Sequence, residues 1–402
     1  VEGLSVMAQP RNETIVLTLN SGSSSLKFGL YRVGISRTET LLTGEADPVG
    51  EEAGQFHAQD ANGNALATGK TSVRDQRDAI FQVERLLAES KLPLPAVIGH
   101  RIVHGGPKLR RHCVINDEVL QQLEAAIPFA PLHLPSALAI IRSSRENFPR
   151  LPQMACFDTA FHAELPDVAR VLPLPREMRA DGIQRYGFHG LSCESILHQL
   201  GADMPDRVVI AHLGNGASVT AVKTGKSIDT SMGLTPTGGV IMGTRSGDLD
   251  PGVLVYLARE KKLSAAMLED LVDRRSGLLG ISGIGSDMRR LHQSAPSNPD
   301  ARLAIDMFCY SVRKQIAAMI AALEGIDLIV FTGGIGENDV DVRASICAGF
   351  AWAGIGLEDA RNRAADNPIG DSGLRCKVLV LPSQEDEQIA RHSWALLPQG
   401  TT

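Results

Sequence analysis

A chain of 402 residues exceeds the ~250–300 residues at which one hydrophobic core stops growing, so two domains are expected. An apolar content of 43% with 21% charged residues excludes a disordered chain. The net charge of −6 gives no electrostatic reason to expect nucleic acid or an anionic membrane as partner, and no apolar run approaches the ~20 residues that span a bilayer.

Val1 to Thr14 has neither a basic region nor an apolar core and so does not read as a signal peptide. With Val in first place, residues 1–13 are expected to be an extension or remnant, and Met7 is a candidate natural start. Cys113, Cys156, Cys193, Cys309, Cys347 and Cys376 form no Cys-x-x-Cys pair and read as reduced thiols of a cytoplasmic protein.

Ile15–Leu19 is a buried strand, followed by a small polar loop from Asn20 to Ser25 and a second strand, Leu26–Tyr31, carrying Lys27. Residues 44–72, rich in small and turn-forming residues, read as turns and hairpins. Asp75 to Ser90 puts Ile80, Val83, Leu86 and Leu87 on one helical face. After the strand Ala96–Ile98 come His100 and His104, four apart. That spacing suits a metal on a helix, but the flanking glycines favour loop histidines. Arg101, at a strand end beside glycines, can grip an anion bidentately or form a structural salt bridge. Asp117 can cap a helix ended by Pro128, and Leu134–Ser136 starts another. The strand Met154–Phe157 ends at Asp158, a carboxylate where α/β proteins bind ligands. Helix capping is the competing reading for Asp158.

Tyr186–Gly190 brackets His189, which could donate to a phosphoryl oxygen or simply pack. Val208–Ala211 and Val219–Val222 are strands joined by the glycine loop His212–Ser218, whose uncovered N–H groups suit phosphate oxygens. Gly243–Asp248 holds Arg245 in a second glycine-rich loop, before a helix from Pro251. Gly283–Arg289 is a loop at a helix start, and Ala301–Leu323 is a long periodic helix. The strand Asp327–Phe331 ends in the glycine loop Thr332–Asn338, ahead of a helix near Asp339. That context suits a nucleotide, although the spacing matches neither the dinucleotide fingerprint nor a P-loop. The strand Val378–Leu381 and the acidic run Glu385–Glu387, opening a final helix, complete the chain. The strand–loop–strand pattern near residue 20 recurs near residue 215, pointing to two related α/β halves.

Seven stretches in order together resemble the acetate kinase family: NSGSSSLKF from Asn20, GHRIVHGG from Gly99, FDTAFH from Phe157, RYGFHG from Arg185, HLGNGAS from His212, Asp229–Pro251, and FTGGIGEN from Phe331. The resemblance runs from residue 15 to 392 and implies the superfamily of acetate and sugar kinases, actin and heat-shock chaperones. It implies an α/β fold of two ribonuclease-H-like domains around a central nucleotide cleft. The N-terminal domain would be residues 14–158, completed by the last helix, 386–398, and the C-terminal nucleotide-binding domain 159–385. It further implies magnesium-dependent (with manganese as a substitute), reversible, in-line transfer of the ATP γ-phosphoryl group to acetate, giving ADP and acetyl phosphate. A cytoplasmic homodimer is implied as well.

Carried onto this chain, the resemblance gives Asn20 and Glu385 to the magnesium, and Lys27, Ser23 and Ser25 to the phosphates. Arg101 and Arg245 would bind the carboxylate and the phosphoryl group, His189 an equatorial oxygen, and Asp158 would be the catalytic aspartate. His212, Leu213, Gly214, Asn215 and Gly216 would cradle the nucleotide phosphates. Asp287, Met288 and Arg289 would hold the adenosine with Gly334, Ile335, Gly336, Glu337 and Asn338. Val103, Leu132, Phe188 and Pro236 would enclose the acyl methyl together with Arg101.

The chain departs from the family pattern in places. Leu134 and Ser136 interrupt a usual His-Asn-Pro, Leu191 and Cys193 replace Thr and His, Thr237-Gly238 replaces Leu-Glu, and Ser21 stands for a frequent Cys. These changes bear on acyl preference more than on activity. A carboxylate nucleophile is already ionised at neutral pH and needs no general base, which favours an orienting role for Asp158. Propionate or another short acid is the alternative substrate. A sugar kinase would need a base and a polar pocket, and an actin-like ATP-binding switch has no use for an acyl site.

Overall fold

The apolar run from Ile15 becomes the middle of strand β1 (Thr14–Ser21) in a computed structural model that describes residues 13–22, 25–47, 55–69, 73 and 75–398. Ser23 and residues 1–12 of the expected extension lie outside the described residues. The fold is α/β with two mixed sheets, one in each of two compact units. The first unit takes the chain up to Ala160 and again from Gln384, and the second is Phe161–Ser383.

In the first unit, β2 (Leu26–Val33), β3 (Thr38–Asp47), β4 (Gln55–Asp60) and β5 (Ala65–Gly69) continue from β1 as an antiparallel meander. On the other side of β1, β6 (Val97–Ile102) and β8 (Gln153–Phe157) run parallel to it, and β7 (Cys113–Val114) closes the edge. The order is therefore β5-β4-β3-β2-β1-β6-β8-β7. Strands buried on both faces read as continuous apolar runs, and β1 is such a strand. Leu17 and Leu19 join a core with Ala79, Ile80, Val83 and Ile140 from the helices Gln76–Glu89 and Leu134–Asn147. Val16 faces the opposite way, into a core with Val97, Met154 and Ala390 of the C-terminal helix Glu385–Leu396. Strand β4, by contrast, alternates, with Phe56 and Ala58 buried and Gln55 and His57 exposed.

The C-terminal helix lies against the sheet at Gly99, where a Cβ would meet Ser393 Oγ at 2.2 Å and Ile389 Cγ2 at 2.7 Å. Only glycine permits that approach. The last stretch of chain thus covers the face of the sheet built by the first.

The second unit repeats the pattern. Strands β9 (Arg207–Leu213), β10 (Ala217–Lys223) and β11 (Lys226–Thr230) are antiparallel, while β12 (Leu328–Thr332) and β13 (Lys377–Val380) run parallel to β9. The order β11-β10-β9-β12-β13 matches β3-β2-β1-β6-β8 in position and direction. Val208 and Ile210 pack with Cys193, Ile196 and Val330, and the long helix Pro299–Ala322 packs on β9, β10 and β11.

Local expectations need correction in places. Asn116, not Asp117, caps the helix Asp117–Ala125, its side chain accepting from Val119 N–H at 2.8 Å. Asp117 sits in the first turn and pairs with Arg145 at 3.0 Å. His100 lies within β6, not in a loop, and Gly333–Asn338 is a short helix in its own right. The final helix begins at Glu385 and ends at Leu396, within a residue or two of the expected span. Among the described residues, no helix is long and apolar enough to cross a membrane.

Candidate active site

In the first unit, chemistry gathers where β1, β6 and β8 end. Arg101, in β6, donates from Nε and Nη2 to Asp158 Oδ2 at 3.0 and 2.7 Å. Its Nη1 donates to Asn20 Oδ1, at the end of β1, at 3.2 Å. Asn20 Nδ2 in turn donates to Asp386 Oδ1 at 2.8 Å. The arrangement is a chain, Asp158–Arg101–Asn20–Asp386, in which each polar group fixes the next. Asp158 is 1% exposed and Arg101 18%. Burial alone would weaken the Arg101 charge, but the Asp158, Glu385 and Asp386 carboxylates outweigh it and hold its pKa above the usual value. Burial pushes the Asp386 carboxyl above the usual range, offset in part by the Asn20 hydrogen bond, Lys27 and Arg101. Exposed Lys27 and Asp386 share the wall of a cavity of about 510 Å³. The Asn20 amide oxygen with Glu385 and Asp386 is a hard-oxygen donor set, the type magnesium takes alongside substrate phosphates.

Sequence reasoning did not single out Asp386 as a site residue. The acidic run at the helix start was visible, but which of its members turns toward Asn20 depends on the helix's rotation against β1. His100, candidate for a metal on spacing, is buried and hydrogen-bonded to Gln153 Oε1 at 2.9 Å, and His104 Nδ1 accepts from Gly106 N–H.

In the second unit, His189 precedes the helix Gly190–Leu200 in a left-handed conformation, φ 57°. A buried histidine holds this corner: His162 Nε2–H donates to Phe188 O at 3.0 Å, and its Nδ1 accepts from Ser227 Oγ at 2.8 Å. His189 Nδ1 is tied to Ser218 Oγ at 2.9 Å, and its ring stacks on His212 at 4.3 Å between centroids. His212 Nδ1 is bonded to Ser192 Oγ, which also receives Ser383 Oγ–H. Ser192 and Ser383 carry no sequence signal beyond being polar, and Ser218 closes the glycine loop without any sign of its partner; only folding brings the three to the histidines.

Arg245 comes to the same place from the loop after β11. A Cβ built on Gly216 would lie 3.2 Å from His189 Nε2 and 3.3 Å from Arg245 Nη1. Two side-chain nitrogens thus converge on one small volume beside Gly216, which a Cβ there would crowd. The same Arg245 nitrogen donates to Pro236 O at 3.2 Å.

A cavity of about 860 Å³ in this unit is lined by Gly214, Asn215, Asp287–Arg289, Gly334, Ile335 and Asn338, together with His292 and Asp339–Asp341. Asp287 caps the helix Met288–Ser294 and pairs with Arg289 at 2.7 Å, which holds its carboxyl down at about 2. His292 bridges to Asp339 Oδ2 at 2.9 Å. Among the other expected nucleotide residues, Leu213 is wholly buried, Glu337 Oε1 accepts from Gly333 and Ser383 N–H, and Gly336 packs beneath the turn. Ser25 is partly buried. The four apolar pocket candidates divide between the units: Val103 and Leu132 in the first, Phe188 and Pro236 in the second. The departures Leu134, Leu191 and Cys193 are wholly or almost wholly buried, so they are packing changes.

The acetokinase family model matches residues 15–391. The acetate kinase of Methylocella silvestris is 44% identical over 96% of this chain and 98% of its own length. A crystal structure of a propionate kinase from Francisella tularensis superposes with a TM-score of 0.89 at 35% identity, covering 96% of this chain and all of that one. The Porphyromonas gingivalis acetate kinase structure gives 0.85 at 34%, with the same coverage of both chains. A family model matching nearly the whole chain and a relative this similar over its full length mean that the chain belongs to the acetokinase family.

Proposed function

We propose that the chain is a phosphotransferase with a carboxyl acceptor, moving the ATP γ-phosphoryl group reversibly to acetate to give acetyl phosphate and ADP. The observation that carries the reading is the convergence of His189 Nε2 and Arg245 Nη1 above Gly216. Acetate is ionised at neutral pH, so its attack on phosphorus requires charge stabilisation and positioning, with no proton to remove. We assign His189 and Arg245 to the phosphoryl oxygens, where fixed donors lower the barrier most. Arg101 is assigned to the acetate carboxylate, and Asp158 holds Arg101 in place. Val103, Leu132, Phe188 and Pro236 are assigned to the methyl group.

ATP is assigned to the cavity lined by Gly214, Asn215, Asp287–Arg289 and Gly334–Asn338, making 159–385 the nucleotide-binding domain and 14–158 with the last helix its partner. Lys27, Ser23, Ser25 and the His212–Gly216 turn are assigned to the phosphates. Magnesium, held by Asn20 and Glu385 with Asp386 behind Asn20, would shield the phosphate charge when bound.

A homodimer is part of the proposal. The helices Pro251–Glu260 and Ala265–Arg274 contain no buried residue. They expose Val253, Val255, Tyr256 and Met267, with Met307 and Tyr310 exposed on the long helix. Apolar side chains in such number call for cover; sedimentation at the monomer mass would remove this element. None of the six cysteines is in a disulfide, which supports a reducing setting.

The test is to trap acyl phosphates with hydroxylamine while offering acetate, propionate, butyrate and a sugar panel with magnesium-ATP. Acetohydroxamate is expected; its absence with every acid would end the reading. The Francisella propionate kinase likeness favours propionate as the second substrate.

A further inference from the structure

Thr237 is one of the positions at which this chain departs from the family pattern, and the structure gives it a partner. Its Oγ1 donates to Asp273 Oδ1, on the last turn of the helix Ala265–Arg274. The backbone carbonyl of the same Asp273 accepts from Thr244 Oγ1 at 2.8 Å. One residue therefore receives both halves of the loop that carries Arg245: Thr237, next to Pro236, and Thr244, next to Arg245 itself.

The two halves are held in different ways. Around Arg245 the backbone is tied repeatedly, by Ser246 N–H to Val272 O at 2.9 Å, Ser276 N–H to Thr244 O at 3.0 Å and Leu278 N–H to Met242 O at 2.9 Å. The Pro236 half has a single backbone tie of this kind, Asp248 N–H to Gly239 O at 2.9 Å, and otherwise relies on side chains. Thr237 reaches Asp273, and Asp248 Oδ1 accepts from Gly239 N–H at 2.7 Å. Pro236 O is in turn a contact that aims the Arg245 guanidinium, since Nη1 donates to it at 3.2 Å.

We infer that the Thr237–Asp273 hydrogen bond is a latch that positions Pro236 and, through its carbonyl, the guanidinium of Arg245. Both are positioning residues; neither touches the reacting atoms. The inference rests on the assignment of Arg245 to the transferred phosphoryl group.

Thr237→Val and Asp273→Ala test it, with Thr237→Ser, which keeps the hydroxyl, as the rescue. Each disrupting variant is expected to lower kcat/KM for acetate by about tenfold, the scale of a sub-ångström misplacement, with KM for ATP unchanged. The double variant should be no worse than either single one, because both break the same link. Amide hydrogen exchange over residues 235–248 is read in parallel and should quicken in both variants but not in Thr237→Ser. If wild-type protein makes no acyl phosphate yet exchange quickens as described, the acetate assignment fails and the latch stands. Unchanged exchange with unchanged acetate kinetics would overturn the latch. So would a parallel rise in both Michaelis constants with a fall in Tm, which would make the contact merely structural.

Discussion

Asp158 gives one carboxylate oxygen to two N–H groups of Arg101. An oxygen engaged in this way serves poorly as a base, and an ionised acetate has no proton to surrender. Asp158→Asn should lower kcat by at least about tenfold through loss of Arg101's aim while leaving both limbs of the pH–rate profile in place. Loss of one titrating limb would instead make it a base. Arg245→Ala should lower turnover by ~10²-fold or more, the scale of losing one charge-stabilising donor; near-wild-type turnover in single-turnover assays would refute its assignment. At this scale residue type and glycine surroundings single out Arg101 and Arg245 as candidates to grip an anion, and the structure shows Arg101 paired with Asp158 and Arg245 Nη1 near His189 Nε2 around Gly216. The sequence was illegible where the signal is only a partner's direction. Asp386, Ser218 and Ser192 are ordinary polar residues until the fold turns them toward Asn20, His189 and His212.

The C-terminal helix shows how an element far along the chain completes the first sheet. Ile389 and Ser393 are fully buried against Gly99 of β6, and the same helix brings Asp386 to Asn20. Ile389→Ala should cost about 2–5 kcal/mol by the cavity it leaves, measured as a lower urea midpoint. A cost below about 1 kcal/mol would mean that this helix is not part of the core. Strands such as β1 and β9 were legible because burial on both faces leaves an unbroken apolar run. The short helix at Gly333–Asn338 was not, because three glycines in six residues argue against helix, and tertiary contacts override that weak preference. Asn116 and Asp117 are both good caps, and the choice between them lay beyond pattern reading.

Over the whole molecule, the repeated strand order explains why two similar strand–loop–strand patterns stand some two hundred residues apart. Each unit also buries a neutral histidine. Burial pushes both His100 and His162 down to about 4, against the support of Gln153 for the first and of Phe188 O for the second. An unfolded histidine titrates near 6.5. Between those values the unfolded chain binds protons that the folded chain does not, so stability is full above about pH 6.5 and falls as pH drops toward 4. At pH 5 each histidine should have lost the fold about 2 kcal/mol. The urea midpoint should therefore drop clearly between pH 7 and pH 5, and equal midpoints would contradict these burials.

Phosphorus NMR of the protein with magnesium-ATP and acetate labelled with ¹⁸O in its carboxylate tests the transfer itself. Attack by acetate on the γ-phosphorus predicts an acyl phosphate resonance shifted by ¹⁸O in the bridging position, growing as the γ-signal of ATP declines. Release of unlabelled inorganic phosphate alone, with no acyl phosphate at any time, would contradict it.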